Sequence, residues 1–328
     1  MRVLVTGGFG FVGGAVAMRL ADAGHDVTLL TRGRDRPANP PVDAEVSVAD
    51  LRDPDQLGKV VAGHRFEGVC HLAGLVRVRE SFDDPAAYFQ ANVGGTANLL
   101  AVLARAAGRT GRPVRLVFAS TAAVYGQAAG EPISEDHPLA PTSPYGASKL
   151  AAEQLIGYQA ATGVLAAVTL RGFAIAGAIG SHGDTDLSRI IPKALAVAAG
   201  HAPHVGVNGD GSAVREFTHV ADVADAYLLA LTAARPGEHL VCNVGTGQGV
   251  TVRQALDAVE DVTGQRLPVV LRPAANEPPA LLADTRRIQD WLGWQPHHSK
   301  LNEIVAAAWR AFGALRGPPT TLRLDLPG

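Results

Sequence analysis

Two residues four positions apart are the strongest catalytic candidates in this sequence. Tyr145 and Lys149 lie in the segment Pro-Tyr-Gly-Ala-Ser-Lys, and this spacing places both side chains on one face of a helix. A lysine ammonium close to a phenol favours the phenolate, which lowers the tyrosine pKa and makes Tyr145 a candidate general base. Ser120 and Thr121 end a predicted strand upstream, where ligands gather in open α/β sheets, and offer hydroxyls to a reacting alcohol or carbonyl. On their own they are equally typical of a turn cap.

A glycine-rich turn near the start of the sequence predicts a dinucleotide site. Gly7, Gly10 and Gly13 follow a predicted strand and open a predicted helix, where backbone N–H groups and the helix dipole can hold a pyrophosphate. The same spacing recurs at residues 177–183 without a strand and a helix around it. The spacing alone is therefore weak evidence, and the strand-to-helix setting of the first copy is what favours a cofactor.

The end of the second predicted strand bears on which dinucleotide binds. An acidic residue commonly binds the adenosine ribose there, and an arginine nearby matches a 2′-phosphate. This chain has Thr31 at that place, and three arginines follow it, Arg32, Arg34 and Arg36. We expect NAD, with NADP as the alternative that Arg32 and the missing acid suggest, although a solvated arginine-rich loop gives the same pattern. Asp50, after the third predicted strand, can bind the adenine amine or belong to a polar loop.

The elements that would hold these residues alternate between strands and helices. Short apolar runs predict strands near residues 2–6, 26–30, 44–48, 68–72, 113–119 and 165–170. Ala- and Leu-rich segments predict helices near 11–23, 54–63, 85–107 and 144–163. Because the strands are apolar on both faces, we expect an α/β protein with a doubly wound parallel sheet of the Rossmann type.

The pattern changes after residue 171, and the change predicts a second domain. Glycine and proline interrupt the chain from there on, as in a looser unit. We expect a dinucleotide-binding domain at residues 1–171, a smaller α/β substrate-binding domain at 172–316 and a peripheral tail at 317–328. Residues 215–245 are expected to pack back on the first domain.

Composition excludes several classes of protein. The chain has 328 residues, of which 47% are hydrophobic, and a formal net charge of -2. It can therefore bury a large core, and it lacks the basic charge that nucleic acid would favour. The sequence shows neither a membrane-spanning stretch nor a secretory pattern. Cys70 and Cys242 have neither metal nor disulfide spacing, and the histidines form no closed metal set. We expect a cytoplasmic protein without metal, nucleic acid or membrane partners.

Longer stretches of the sequence resemble one enzyme family. The matching segments are Val5–Gly13, His71–Gly74, Asn92–Thr96, Ser120–Gly126, Ser143–Lys149, Ile191–Pro192, Arg215–Asp222, Asn243–Gly247 and Ala283–Asp284. They extend over nearly the whole chain and resemble the extended short-chain dehydrogenase/reductase family, most closely its UDP-galactose (UDP-glucose) 4-epimerase branch. In that branch a tyrosine takes the proton of a sugar hydroxyl while hydride passes to nicotinamide. The keto-sugar then rotates in the site, and hydride returns to its other face.

The resemblance implies a role for each matching residue. Tyr145 would be the base, and Lys149 would tune its pKa and anchor the ribose. Thr121 and Ser120 would contact the substrate hydroxyl, and Asn92 would support the active-site helix and the cofactor. The implied cofactor-binding set is Gly7, Gly10, Phe11, Val12, Gly13, Thr31, Arg32, Asp50, Leu51, Leu72, Ala73, Gly74, Asn92, Tyr145 and Lys149. The implied substrate-binding set is Thr121, Tyr145, Phe173, Arg215 and Glu277.

One departure from the family pattern bears on the reaction, and another on the cofactor. Ala122 and Ala123 stand where the family's 4,6-dehydratases and decarboxylases need an acidic residue, so both reactions are disfavoured. Val76 replaces a lysine that contacts cofactor phosphates in the epimerases, and Arg77 follows it as a substitute.

Two further departures remove phosphate contacts at the substrate end. Ala174 replaces an asparagine that holds the nucleotide-sugar phosphates, and Ala274 stands where the family has an arginine, with Arg272 nearby. Arg215 remains as a pyrophosphate clamp, and Glu277 can replace the usual ribose-binding aspartate. Losing two such contacts costs several kcal/mol of binding unless other groups compensate, so the identity of the sugar nucleotide stays open.

Three functions are compatible with these residues. The leading hypothesis is a redox-neutral epimerase that retains its nicotinamide cofactor and inverts a carbon of a nucleotide-linked hexose or uronic acid. The alternative is an NADPH-dependent ketoreductase of a keto-sugar or another carbonyl, which would use the same Tyr145 and Lys149. A scaffold that has lost its chemistry is disfavoured, because both residues are retained. The family also implies a homodimer formed by the helices at 85–107 and 144–163.

Overall fold

A parallel β-sheet of seven strands forms the centre of the protein, whose computed structural model describes residues 1–33, 40–128, 132–274 and 278–316. The strands are β1 (Arg2–Thr6), β2 (Asp26–Thr31), β3 (Glu45–Val48), β4 (Gly68–His71), β5 (Val114–Thr121), β6 (Leu165–Gly172) and β13 (His239–Val244). They lie in the order β13-β6-β5-β4-β1-β2-β3, and all neighbouring pairs are parallel. This order reverses direction between β1 and β4, which is where doubly wound sheets bind ligands. The predicted fold class is confirmed.

Helices follow most of these strands and begin at the residues that the sequence indicates. They are α1 (Phe11–Asp22), α2 (Pro54–His64), α3 (Pro85–Phe89), α4 (Gly95–Thr110), α5 (Pro144–Ala161), α6 (Ile190–Ala198), α7 (Val220–Ala233), α8 (Val252–Thr263), α9 (Arg286–Leu292) and α10 (Leu301–Arg316). Proline opens α2, α3 and α5, where its missing N–H is not needed. No helix of the described residues combines the length and the apolar character that a bilayer span requires.

The prediction of a single helix at 85–107 is wrong in one respect, because the helix is interrupted. A π-helical turn at Gln90–Gly94 separates α3 from α4. The turn contains Asn92, whose side chain bonds to the backbone of Leu75 outside the helix. Such turns often occur at functional sites, and this one gives Asn92 its place beside the end of β4.

The two faces of the sheet carry separate apolar cores. On one face α1 and α7 pack together against the strands, with Val16, Leu20 and Leu231 fully buried. On the other face α2, α4 and α5 enclose Leu57 and Leu103 among other residues. Burial on both faces explains why the strands are almost wholly apolar.

The chain after β6 forms a third core and also returns to the sheet. Its short strands are β7 (Ala174–Ala176), β8 (Ala178–Ile179), β9 (His182–Gly183), β10 (Val205–Asn208), β11 (Val214–Arg215), β12 (Phe217–His219), β14 (Val250–Thr251), β15 (Val269–Arg272) and β16 (Ala280–Leu281). Helices α6, α8 and α10 pack around this core, while β13 pairs with β6 and α7 packs on α1. The division into domains at residues 171 and 316 stays a prediction. Arg34, Arg36, Glu277 and the tail at 317–328 lie outside the described residues.

Candidate active site

The amino end of α5 fixes the position of Tyr145. The Ser143 hydroxyl accepts a hydrogen bond of 3.1 Å from the N–H of Gly146, and Pro144 is the first residue of the helix. This cap sets the first turn, which contains Tyr145, and Lys149 follows one turn later. Tyr145 is 8% exposed and Lys149 is 2% exposed, so both functional groups lie in a largely water-free environment.

The phenol of Tyr145 shares a cavity with Thr121, the last residue of β5, whose hydroxyl lies close enough to influence the pKa of the phenol. Burial raises the pKa of Tyr145, while the Thr121 contact and the positive charge of Arg189 act in the opposite direction. The sequence predicted a lowered pKa, whereas burial dominates in the structure because it disfavours the charged phenolate. The chain by itself therefore holds Tyr145 as a neutral phenol.

Lys149 is directed at the end of β5. Its Nζ donates a hydrogen bond of 2.8 Å to the carbonyl of Ala119 and lies 4.7 Å from the ring centroid of Phe118. Burial lowers the pKa of Lys149 to about 8, and the negative charge of Glu153 acts against this shift. Near neutral pH the ammonium keeps its charge, at the same strand end as the Thr121 hydroxyl.

Ser120 differs from its neighbour Thr121. Its hydroxyl donates to Glu153, which lies one turn after Lys149 on α5 and forms a buried 2.7 Å ion pair with Arg171 of β6. The role of Ser120 at the substrate hydroxyl stays a prediction, since in the structure this hydroxyl serves the ion pair. Glu153 was missed in the sequence, although its spacing of four from Lys149 places it on the same helix face.

The glycine turn brings three stretches of backbone into close contact. Gly7 has a φ of +72°, and a Cβ atom there would lie 2.7 Å from the backbone nitrogen of Ala73. A Cβ atom on Gly13 would lie 2.1 Å from the carbonyl oxygen of Gly7. The N–H of Gly10 donates to that same oxygen at 2.9 Å. Only glycine fits these positions, and the resulting cradle at the start of α1 suits the pyrophosphate of a dinucleotide.

A buried histidine, which the sequence analysis missed as a positioning group, ties β1 to the helices behind it. His71 Nδ1 lies 2.7 Å from Thr6 Oγ1, and His71 Nε2 lies 3.0 Å from Thr96 Oγ1. Burial lowers the pKa of His71 to about 3, and the charge of Lys149 adds to this shift. The imidazole is therefore neutral and acts as a structural bridge under the site.

Asn92 holds the loop that follows β4. Its side-chain oxygen accepts from the N–H of Leu75 at 2.8 Å, and its amide donates to the Leu75 carbonyl at 3.0 Å and to Ser148 at 2.9 Å. Ser148 lies in α5 next to Lys149. This clamp fits the expected support of the active-site helix, while the contact of Asn92 with a cofactor stays a prediction.

Two adjacent cavities run along this edge of the sheet. The larger, of about 500 Å³, is lined by these predicted residues: Gly7, Gly10, Phe11, Val12, Gly13, Leu72, Ser120, Thr121, Tyr145, Lys149, Phe173 and Arg215. The smaller, of about 370 Å³, is lined by Gly7, Gly10, Thr31, Arg32, Asp50, Leu51, Leu72, Ala73 and Gly74 among others. The shared residues Gly7, Gly10 and Leu72 place the glycine turn where the two meet, an arrangement that fits an extended dinucleotide with its nicotinamide beside Tyr145.

The smaller cavity has a basic rim. Asp50 is bound by Arg52 at 2.7 Å, and this contact lowers the pKa of Asp50 to about 2. The Thr31 hydroxyl accepts from the N–H of Gly33 at 3.2 Å. Arg32 lines the same cavity, so the end of β2 presents a hydroxyl and a guanidinium where a ribose-binding carboxylate is common.

The substrate end of the larger cavity contains two charged residues that the sequence analysis missed. Asp184 and Arg189 line it and form a 3.1 Å ion pair. No motif marks them, because they belong to an irregular segment before α6. Arg215 lines the same cavity and donates to the carbonyls of Val214 and Pro278 at 2.7 and 3.0 Å. Among the described residues, no group of three or more His, Cys, Asp or Glu side chains could hold a metal ion.

Comparison with known proteins identifies the family of this chain. The sequence profile of the NAD dependent epimerase/dehydratase family matches residues 3–245. The chain belongs to this family. The match runs from β1 to the end of β13 and therefore includes the glycine turn, Thr121, Tyr145 and Lys149, which confirms the resemblance inferred from the sequence.

Relatives within the epimerase/dehydratase family match almost the whole chain. A UDP-glucose 4-epimerase of Streptomyces lividans is 40% identical over 319 residues, which cover 94% of this chain and 95% of the relative. The crystal structure of a UDP-glucose 4-epimerase from Stenotrophomonas maltophila with bound NAD and formylated UDP-arabinopyranose is 34% identical, with a TM-score of 0.88 and coverage of 96% and 98%. That of a UDP-glucose 4-epimerase from Bifidobacterium longum with NAD+ and UDP is 28% identical, with a TM-score of 0.87 and coverage of 96% and 99%.

Proposed function

We propose that this protein is an NAD-dependent epimerase that inverts a hydroxyl-bearing carbon of a nucleotide-linked sugar through a transient keto form of the sugar. The observation that carries the proposal is the buried Tyr145 phenol, which lies with Thr121 in a cavity that adjoins the glycine cradle. A phenol in that position can take a proton from a sugar hydroxyl. The NADPH-dependent ketoreductase alternative gains no support from the relatives, which are epimerases.

Each residue at the strand end has one task in this reaction. When bound, NAD supplies the hydride acceptor, the later hydride donor and a positive charge near the phenol. Tyr145 takes the sugar proton and returns it, and the Thr121 hydroxyl beside it contacts the reacting sugar hydroxyl. Lys149 keeps a cation at the end of β5, and we assign it to the ribose hydroxyls of the cofactor.

The same cleft disfavours loss of water from the sugar. Ala122 and Ala123 follow Thr121 in a short 3-10 turn and carry no group that can protonate a leaving hydroxyl. Asp184 is the carboxylic acid among the described residues that line the larger cavity, and it is already bound to Arg189 at 3.1 Å. An epimerisation needs no such acid.

The choice of cofactor belongs to this proposal. We favour NAD, because the structures from Stenotrophomonas maltophila and Bifidobacterium longum contain it. NADP is the alternative, with Arg32 as the group that would meet a 2′-phosphate. Asp50 is held by Arg52, which orients its carboxylate at the adenosine end.

A homodimer in the cytoplasm is part of the proposal as well. The helices expected to form the subunit contact, α3 to α4 and α5, expose large side chains, with Tyr158 78% exposed and Phe89 41% exposed. Both cysteines are buried and unpaired, as is usual in a reducing compartment. Light scattering that gives the mass of one chain would refute the dimer.

Turnover of UDP-galactose and UDP-glucose tests the function. The proposal predicts that either sugar nucleotide is converted to the same final mixture without any net change in absorbance at 340 nm. Denaturation of the fresh protein should release NAD, detected by mass spectrometry, in about one copy per chain. A steady consumption of added NADPH with a carbonyl substrate, and an empty cofactor site, would contradict it and favour the reductase.

A further inference from the structure

One guanidinium in the larger cavity, whose charge also acts on the pKa of Tyr145, has not been assigned a contact with the substrate. Arg189 lines this cavity together with Tyr145 and Phe173. Its side chain is 40% exposed, and one of its nitrogens donates to Asp184 at 3.1 Å. A guanidinium has five N–H donors, so this single contact orients the group and leaves donors for a ligand.

The carboxylate that binds Arg189 is buried and has a second hydrogen-bond partner. The Asp184 side chain is 8% exposed, and its other oxygen accepts from the backbone N–H of Asp186 at 3.0 Å. Asp186 in turn lies 3.5 Å from Arg77, which follows Val76 at the rim of the cavity. Arg77 is therefore engaged with this segment and does not line the cavity, whereas Arg189 does.

The family resemblance implies a phosphate contact from position 174, and a nearby cation can take its place. Ala174 lines the same cavity and has no polar side chain. Among the described lining residues, the other cations are Lys149, which donates to Ala119, and Arg215, which donates to two backbone carbonyls. Arg189 directly precedes α6, whose first residues also line the cavity, so the helix dipole adds to the positive potential there.

We propose that Arg189 binds the pyrophosphate of the nucleotide sugar and supplies the contact that Ala174 does not provide. This inference rests on the proposed function and extends it, because it names the group of the substrate that this cation recognises. Arginine suits a phosphate through charge-assisted, bidentate hydrogen bonds. The carboxylate of a hexuronic acid is the other anion that such a cation could bind, and the experiment separates the two.

Binding of UDP and uridine to the NAD-loaded protein, measured by calorimetry, tests the proposal. We expect Arg189→Gln to weaken UDP binding about tenfold or more and to leave uridine binding within about twofold, because only UDP carries the phosphates. Glutamine keeps an N–H donor for Asp184, which protects the fold. The variant Arg189→Lys should lose less UDP affinity than Arg189→Gln, because the positive charge remains. Arg266→Gln is the matched control, because that side chain is 95% exposed and its loss changes the net charge equally outside the cleft.

The outcomes are distinct. Equal UDP affinity in the wild type and Arg189→Gln would overturn the inference and leave the proposed function intact. An equal loss for uridine and UDP would also overturn it, because phosphate would then not be the group recognised. An unchanged affinity for UDP with a loss confined to UDP-glucuronic acid would assign Arg189 to a sugar carboxylate instead. A wild-type protein that binds neither UDP nor UDP-glucose would refute the proposed function itself.

Discussion

The two sides of the cleft are lined by different parts of the chain, one mainly by backbone and the other by side chains. On the cofactor side the wall is largely backbone, where the glycine turn meets the start of the loop after β4 at Gly7 and Ala73. On the substrate side the wall is made of side chains such as Phe173, Asp184 and Arg189. Thr121 and Tyr145 lie between the two sides, at the end of β5.

This difference separates what each side recognises. A wall made of backbone has strict steric requirements. It suits a ligand that is the same in every turnover, such as the dinucleotide. Side chains on irregular segments can change without disturbing the sheet, and they set which sugar nucleotide is accepted. Substitutions on the cofactor side should therefore act on folding and cofactor binding, and substitutions on the substrate side should act on specificity.

The largest effect is expected at the junction of the two sides. Tyr145→Phe removes the hydroxyl that takes the sugar proton, and we expect kcat to fall about 10³-fold, within the range for loss of a general base. The affinity for UDP should stay within about twofold. Tyr158→Phe on the same helix is the control, because it removes a phenol hydroxyl outside both cavities and keeps the ring that the proposed subunit contact would use. Equal losses of kcat in both variants would contradict the assignment.

The glycine cradle tests the backbone side. In Gly13→Ala the new Cβ would lie 2.1 Å from the carbonyl oxygen of Gly7, so we expect a loss of about 3 kcal/mol in the free energy of unfolding and weaker NAD binding. Gly58→Ala in α2 meets no atom within 4 Å and should instead stabilise the protein by about 0.5 to 1 kcal/mol. Urea unfolding and NAD titration of both variants measure this. Similar behaviour of the two would refute the steric argument.

The buried imidazole beneath the cradle predicts a pH dependence of stability. The pKa of His71 is lowered to about 3 in the folded protein, from the ordinary value of 6.5. Between these values the unfolded chain binds the proton and the folded protein does not. The free energy of unfolding should therefore fall as the pH is lowered from about 6.5 towards 3, by at most about 1.4 kcal/mol per pH unit from this group.

The variant His71→Gln removes that contribution. Its free energy of unfolding, measured between pH 4 and 6, should depend less steeply on pH than that of the wild type. Identical slopes in the two proteins would show that His71 is protonated in the folded state.

The smallest expected effect concerns the adenosine end. Arg32→Ser removes an exposed cation that lines the smaller cavity, so we expect NADP affinity to fall about fivefold, as for an exposed ion pair. NAD affinity should stay within about twofold. Fluorescence titration with both dinucleotides gives the ratio of the NADP and NAD affinities. An equal loss of affinity for NADP and NAD would show that Arg32 does not recognise the 2′-phosphate.

The sequence predicted the cofactor side and the catalytic pair because their signals are local. Gly7 and Gly13 are marked by their place between a strand and a helix, and Tyr145 with Lys149 by their spacing on one helix. The interruption of the helix at Asn92 could not be predicted, because it depends on a contact with Leu75 in a distant loop.

The residues of the substrate side were harder to predict from the sequence, for a similar reason. Arg189 and Asp184 lie between β9 and α6, in a segment without helical or strand periodicity, so no local pattern marks them as lining the cavity. The Ser120 hydroxyl looked equivalent to that of Thr121, and only the position of Glu153 in the fold shows that the two point to different partners. Contacts between distant segments leave no local pattern in the sequence.

The central claim is that hydride leaves a sugar carbon and returns to the same carbon within one bound complex. UDP-galactose deuterated at carbon 4, the position in the names of the relatives, tests this claim when it is converted in ordinary water and the UDP-glucose is analysed by mass spectrometry. Our account predicts that the product keeps the deuterium and that no NADH accumulates. Replacement of the deuterium by solvent hydrogen would contradict it, because the proton would then have been removed as an acid rather than as a hydride.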